Sequence, residues 1–400
     1  MSMILEWCGD GGGDMRRSRV RGGLVALLVG STAAVIGPAA GANASTAAGD
    51  GCGPVVTAAR PAVGLQQKWA HFGDGAGEGE WAGGDGTYST PLPDGRTAWL
   101  FNDTFLGPVG PGRSITPHAP VHNTIVTAHG RSQRPTQTIL RGTSASPLPI
   151  VGPAGTDDPW YWNGDGIVDD GKLYVFEFQQ RAAGEGHFGF EWIGTDLASL
   201  SLPDLRLQHV APTYDGHGIQ WGVELLRVDD YIYIYGTGSQ WPGKQAHVAR
   251  ARAGHLDGAW EFYTGSGWSP DEGDSAAILE DVGSSYGVAQ VQGRYVLVTT
   301  DSYLGSEIYV HTASTPFGFS GTERVQVYDT PEGQPAYDAD AAGDIYTYNV
   351  AVHPTLSTGN SLVVSYNVNS TSIADLYGDI SNNRARYLDL PFTSGDSPCR

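Results

Sequence analysis

The sequence predicts an all-β protein, a five-bladed β-propeller, and three observations carry that expectation. One hairpin pattern, a polar turn leading into a β-branched and aromatic strand, occurs five times at near-regular spacing. Glycine accounts for 57 of 400 residues, about twice the usual ~7%, and with 24 prolines it favours many tight turns over long helices. No segment sustains the apolar period of an amphipathic helix.

In chain order, residues 1–44 read as an export leader. Met15–Arg21 is basic, Leu24–Gly37 is apolar, and Ala42-Asn43-Ala44 fits an A-x-A cleavage site. The apolar run is short for a membrane span and no later stretch approaches ~20 apolar residues, so the mature chain is expected to be secreted without an anchor. Residues 45–65 are then a linker, and 66–400 a single propeller domain. The five hairpins follow. Asp94-Gly95-Arg96 leads into Thr97–Phe101, Asp170-Gly171-Lys172 into Leu173–Phe176, and Asp229-Asp230 into Tyr231–Tyr235. Gly293-Arg294 leads into Tyr295–Val298, and Asn360-Ser361 into Leu362–Tyr366. Anchored on Gly95, Gly171, Asp230, Gly293 and Asn360, the copies are 76, 59, 63 and 67 residues apart, room for a four-stranded blade with its loops. A second short strand precedes each turn, at Gly84–Gly86, Trp162–Gly166, Trp221–Glu224, Tyr286–Val288 and Tyr348–Val350. In a propeller these are the innermost strands, where close approach favours glycine. Strand runs alone would also suit a sandwich; the regular spacing of roughly 65 residues selects the propeller.

The last strands, around Ala385–Phe392, need a partner to complete the fifth blade. The stretch Gln66–Phe72 is the expected supplier, closing the ring and hiding both edges. Cys8 leaves with the leader, so Cys52 and Cys399 remain at opposite ends of the mature chain. In an oxidising compartment they are expected to form a disulfide that pins the closure.

The formal charge of -20 becomes -21 once the leader's four arginines and three acids are gone, which makes nucleic acid and anionic membrane poor partners. A monomer is expected.

Chemistry concentrates in the first hairpin, G-G-D-G-T-Y-S-T-P-L-P-D-G-R-T-A-W-L-F-N-D-T-F, residues Gly83–Phe105. Asp85 lies nine residues before Asp94 and Asp103 nine after, which sets the two carboxylates opposite each other if the turn is centred on Asp94. Directly opposed side chains have Cβ atoms ~5 Å apart. Two carboxylates that close cannot both ionise comfortably, so one becomes a proton donor beside a base, the equipment of glycoside hydrolysis. Solvated hairpin-end residues are the plain alternative. Aligning the inner strands adds Asp165 and Glu224 from the second and third copies, converging with Asp85 at one channel mouth; turn capping or calcium binding would otherwise explain them. Tyr88, Trp162, Trp221 and Tyr286 accompany these acids as candidate substrate-binding residues, because flat apolar faces beside carboxylates suit sugar rings. Gly283-Ser284-Ser285-Tyr286-Gly287 fits G-x-S-x-G, but a strand follows where a nucleophile elbow needs a helix. His217, His247 and His311 are scattered and no cysteine pair has zinc spacing. No catalytic metal or cofactor is expected, while the Gly-rich loop with Asp74, Glu78 and Glu80 has the composition of a structural Ca²⁺ site.

The Gly83–Phe105 pattern resembles the signature of secreted actinobacterial proteins carrying the domain of unknown function 4185 or its relative 5005. Members of the former group are classed as glycoside hydrolase family 183, endo-D-arabinanases that cut the arabinan of mycobacterial-type cell walls. In that family the acids belong to a T-D-like element and a later G-D-T element, which fall here on Asp85 and Asp103, with Asn102 in place of the Gly before the second acid. The set Asp85, Asp165 and Glu224 resembles instead the five-bladed propeller glycosidases of families 43 and 32, which place an acid on each of the first three blades. The two schemes share Asp85, as base or nucleophile, and differ over the proton donor. In the first it is Asp103; in the second it is Glu224, with Asp165 tuning pKa or holding the sugar. The resemblance implies a secreted hydrolase of a furanoside-rich polysaccharide. A non-catalytic carbohydrate-binding propeller is the alternative reading of the same acids.

Overall fold

The computed structural model describes residues 55–56, 58–153, 159–240, 243–302, 304–334 and 344–393. The leader and both mature cysteines, Cys52 and Cys399, lie outside the described residues. Five antiparallel sheets form the blades of a β-propeller. From the axis outward, blade 1 is Trp81–Pro91, Arg96–Leu106, Val121–His129 and Arg134–Ile139. Blade 2 is Trp160–Asp169, Lys172–Ala182, Phe190–Ser201 and Leu207–Pro212. Blade 3 begins with Ile219–Val228, Tyr231–Gln240, Gly243–Arg252 and Trp260–Tyr263, and short strands extend it. Blade 4 is Gly287–Val291, Arg294–Thr299, Glu307–Ala313 and Val325–Asp329. Blade 5 takes Ile345–Val352, Ser361–Ser370 and Ala385–Thr393 from the end of the chain. Each innermost strand contacts the next, and that of blade 5 contacts that of blade 1.

The repeated turns are the links between first and second strands. In blade 2, Asp169 pairs with Lys172, leaving Asp170 (φ 44°) and Gly171 (φ 72°) as a two-residue loop. Positive φ at both positions is the turn whose twist matches a β-hairpin, and Asp-Gly supplies it at low cost. Blade 4 does the same with Gln292 and Gly293 between Val291 and Arg294.

The ring closes through the N-terminus, but not with the residues expected. Val55–Val56 and Arg60–Pro61 pair antiparallel with Ala385–Thr393, so the closing strands come from the stretch read as a linker. Gln66–Phe72 lies instead within a helix, Val63–Asp74. Its buried residues Leu65, Trp69 and Gly73 recur every fourth position and form one face. The Trp69 ring packs 5.0–5.3 Å from Trp81, Trp99 and Phe101, which seals the base of blade 1. The helix is twelve residues long with only three buried positions, too few to stand out from the surrounding strand signal.

Apolar side chains pack between blades. One cluster joins blades 2, 3 and 4 around Phe176, Trp221, Tyr235 and Tyr286, and another joins blades 4 and 5 around Val298, Val350 and Val364. Polar clips cross the blade boundaries near the axis. Thr90 Oγ1 donates to Gly166 O (2.6 Å), Asn367 Nδ2 to Thr87 Oγ1 (2.9 Å), and Leu225 N–H to Asp165 Oδ2 (2.9 Å).

Candidate active site

Asp85 owes its position to an irregular strand. The first hairpin of blade 1 slips register between Gly83 and Tyr88, with Gly86 at φ 78° and Thr87 at φ 54°. A Cβ on Gly86 would lie 2.7 Å from the Asn102 side chain, so both the backbone and the space there require glycine. The slip corrects the expected pairing: Asp85 faces Asn102, not Asp103. Equal spacing about Asp94 fails because the bulged strand contains extra residues with no partner opposite. Asn102 clips blade 1 to blade 2, accepting from Asn163 N–H (2.7 Å) and donating to Asn163 O (3.0 Å).

The bulge nevertheless keeps the two acids together. Asp85 is 9% exposed, accepts a short hydrogen bond from Tyr348 O–H and a longer one from Asn369 Nδ2 (3.4 Å), both from blade 5. Burial, and then the negative charge of Asp103, raise its pKa from 3.8 to about 7; the Tyr348 and Asn369 hydrogen bonds oppose the rise. Asp103 sits at φ 30°, a conformation rare outside glycine, and its side chain is 28% exposed. Its Oδ1 accepts from His122 Nδ1 (2.7 Å), on the neighbouring strand, and from Trp162 Nε1 (3.0 Å), on blade 2. Both donors share one oxygen, so Oδ2 remains for a ligand or water.

Asp85 and Asp103 border a cavity of about 870 Å³ at the propeller mouth. Its aromatic wall includes Trp160, Trp162, Phe190 and Tyr346, with Trp162 edge-on to Phe190 at 4.7 Å. Six large apolar side chains stand exposed among the described residues, and three of them, Phe188, Leu304 and Ile373, belong to this rim. A blade-2 loop also reaches across the mouth. His187 Nε2 is hydrogen-bonded to Tyr346 O–H (2.6 Å), and the Phe188 ring lies 5.9 Å from that of Tyr346. The Tyr346 ring in turn lies tilted 5.2 Å from that of Tyr348, which donates to Asp85.

The other expected site residues divide. Tyr88 and Trp162 border the cavity. Trp221 and Tyr286 do not: both are fully buried in the core, Trp221 Nε1 donating to Glu272 (2.8 Å) and Tyr286 O–H to Gly236 O (2.8 Å). Their inner-strand positions turn the rings between blades, where large aromatics fill the widening gap. Asp165 and Glu224 are likewise absent from the cavity wall. They are buried near the axis, 7% and 3% exposed, and backbone amides hold them: Gly166 and Leu225 for Asp165, Val288 and Leu225 for Glu224. Burial raises Asp165 to about 7; burial and then Asp165 raise Glu224 well above the ordinary range. Tyr88 lies between these acids and the cavity, its O–H 2.8 Å from Ser285 Oγ.

Sequence reasoning missed His122, Tyr348 and Asn369. Tyr348 stood in the fifth inner-strand copy, and only its contact across the blade boundary reveals the role. Asp74 pairs with Arg384 (2.7 Å) and Glu80 accepts from Gly77 N–H (2.7 Å), so these loop carboxylates already have protein partners. Among the described residues no group of three or more His, Cys, Asp or Glu is arranged to hold a metal.

The family model described as Domain of unknown function (DUF5005) matches residues 68–388. The chain belongs to the DUF5005 family. This DUF5005 domain covers every strand of blades 1 to 4 and the cavity's two central acids. No curated protein matches the sequence. Among solved structures, a hydrolase candidate from Bacteroides ovatus is similar at 19% identity and TM-score 0.69, over 85% of this chain and 93% of that one. A GH43_1 enzyme from Xanthomonas citri matches at 14% identity and TM-score 0.46, over 82% and 93% of the two chains. An alpha-L-arabinofuranosidase from Lactobacillus brevis matches at 12% identity and TM-score 0.47, over 79% and 92%.

Proposed function

We propose that this protein is a secreted glycoside hydrolase of furanoside-rich polysaccharide, with D-arabinan of mycobacterial-type cell walls as the leading substrate, and that Asp85 and Asp103 perform the chemistry. The observation behind this reading is a carboxyl group held at about pKa 7 beside a second carboxylate on the floor of an aromatic cavity. A glycosidase needs such a split: one acid protonated near neutrality, one negative partner. The burial and raised pKa of Asp85 favour roles opposite to the sequence reading. Asp85, the buried and raised group, donates its proton to the oxygen of the leaving sugar. Asp103, anchored through Oδ1, presents Oδ2 to the anomeric carbon or to a water that attacks it. If Asp103 attacks the anomeric carbon, Asp85, left as carboxylate, takes the proton of the water that then releases the sugar from Asp103; if a water attacks instead, Asp103 takes that proton. Asp165 and Glu224 support this site from beneath.

The test is product chromatography after incubating the protein with arabinans, fructans and mycobacterial arabinogalactan. Asp85→Asn and Asp103→Asn are each expected to lose at least about a hundredfold in rate with melting temperatures near wild type. Full activity in Asp103→Asn, together with a folded but inactive Glu224→Gln, would transfer the chemistry to the three-blade scheme.

A further inference from the structure

The wall of the cavity formed by blades 3 and 4 contains an ammonium group that no carboxylate among the described residues pairs with. Lys244 is one of only three lysines in a chain with 43 acidic residues. It borders the cavity, where its Nζ donates to Ser284 Oγ (2.6 Å) and Ser302 O (3.4 Å), and among the described residues no carboxylate pairs with it. Burial pushes the ammonium below its ordinary pKa. A partly buried cation without a partner is costly, and solvent or a ligand must supply what the protein does not. Asp301 lies on the same wall, and Asp281 is engaged by Arg324 (2.6 Å). Ser284 belongs to the Gly283–Gly287 motif, which folds as a turn into a strand and so cannot act as a nucleophile elbow. That turn instead connects Lys244 to the acids: Ser285 is bonded to Tyr88 O–H (2.8 Å), and Tyr88 senses the charge of Asp85.

We propose that Lys244, with Ser284, forms a subsite for an anionic substituent, a carboxylate carried on a sugar of the bound glycan, so that a furanoside glycan bearing such a group binds better than its neutral counterpart. The inference rests on reading the cavity as a saccharide site. A carboxylate there would complete the ammonium's shell with a charge-assisted bond, while the cavity's own acids would repel an anion placed on the opposite wall.

The experiment measures binding in an Asp85→Asn background, by calorimetry, so that turnover does not enter. The probes are oligosaccharides from the arabinan and fructan panel, each before and after oxidation of its primary hydroxyls to carboxylates. The oxidised form is expected to bind about tenfold tighter at low salt, with the advantage shrinking at about 0.5 M salt. Lys244→Met should abolish the advantage and Lys244→Arg should retain most of it, both with unchanged melting temperature. Equal affinity for each pair, or an advantage that survives Lys244→Met, overturns the subsite and leaves the saccharide reading standing. Failure of both forms to bind overturns the two together.

Discussion

Asp85 is poised because its environment opposes itself: burial and Asp103 push the proton on, Tyr348 and Asn369 pull it off. Activity that needs protonated Asp85 falls as pH rises through about 7. Tyr348→Phe keeps the ring and removes the O–H that favours the carboxylate, so Asp85 should hold its proton to higher pH. The alkaline limb of the kcat/KM profile is then expected to move up by about half a unit to one unit. A limb that stays in place or moves down would show that Asp85 is not the titrating acid. Trp162 and His122 set the other half of the pair, since both anchor the same oxygen of Asp103.

At the scale of the element, the bulge at Gly83–Tyr88 and the His187–Phe188 loop place and cover the pair. Gly86→Ala would put a Cβ 2.7 Å from Asn102 at φ 78°. It is expected to cost about 1–3 kcal/mol in urea denaturation and to depress activity, because Asp85 is one residue away. A variant with wild-type stability would mean that the bulge is not strained by a side chain. The hydrogen bond from His187 to Tyr346 ties the loop across the mouth, with glycines at 184, 186 and 189 around it. His187→Ala should speed amide exchange across Gly184–Gly189 and raise KM at least about threefold with little change in melting temperature. Unaltered exchange would make the tether irrelevant to the loop.

For the whole molecule, the buried acids make stability depend on pH in an uncommon direction. Asp85, Asp165, Glu224 and Glu177 all have raised pKa values, chiefly through burial. Between about pH 4, where such groups ionise in the unfolded chain, and about 7, the native state binds more protons than the unfolded state. These acids therefore make stability fall as pH rises across that window, opposed by the buried His247, His311 and His353, whose lowered pKa values favour the native state at higher pH, while mutual repulsion in a chain of net charge -20 acts with the acids. The urea midpoint is expected to be higher at pH 5 than at pH 8, and Glu177→Gln, which removes one such group away from the cavity wall, should flatten the slope. A slope left unchanged by Glu177→Gln would contradict the burial of that acid in protonated form. Ring closure brings Val55 opposite Thr393, three residues after Cys52 and six before Cys399. The disulfide between them remains our expectation; thiol titration of the denatured, unreduced protein should find no free sulfhydryl, and two would refute it.

The sequence by itself determined the ring. Five polar turns followed by β-branched strands specify five hairpins, because each Asp-Gly-like turn and each alternating strand is a local preference that needs no distant partner to be read. It also singled out Asp85 and Asp103, acids at the ends of one hairpin. Tertiary structure decided the rest. Whether an inner-strand residue faces the cavity, the axis or the gap between blades depends on bulges of a single residue, and one slip sent Asp85 to Asn102 while others left Trp221 and Tyr286 in the core. The closing strands were equally hidden, since Val55–Pro61 is too short to announce itself and gains its role only by pairing with residues more than three hundred positions away. The proton on Asp85 is the final case: it is set by burial and by groups from blades 1 and 5, and no local stretch of sequence contains them together.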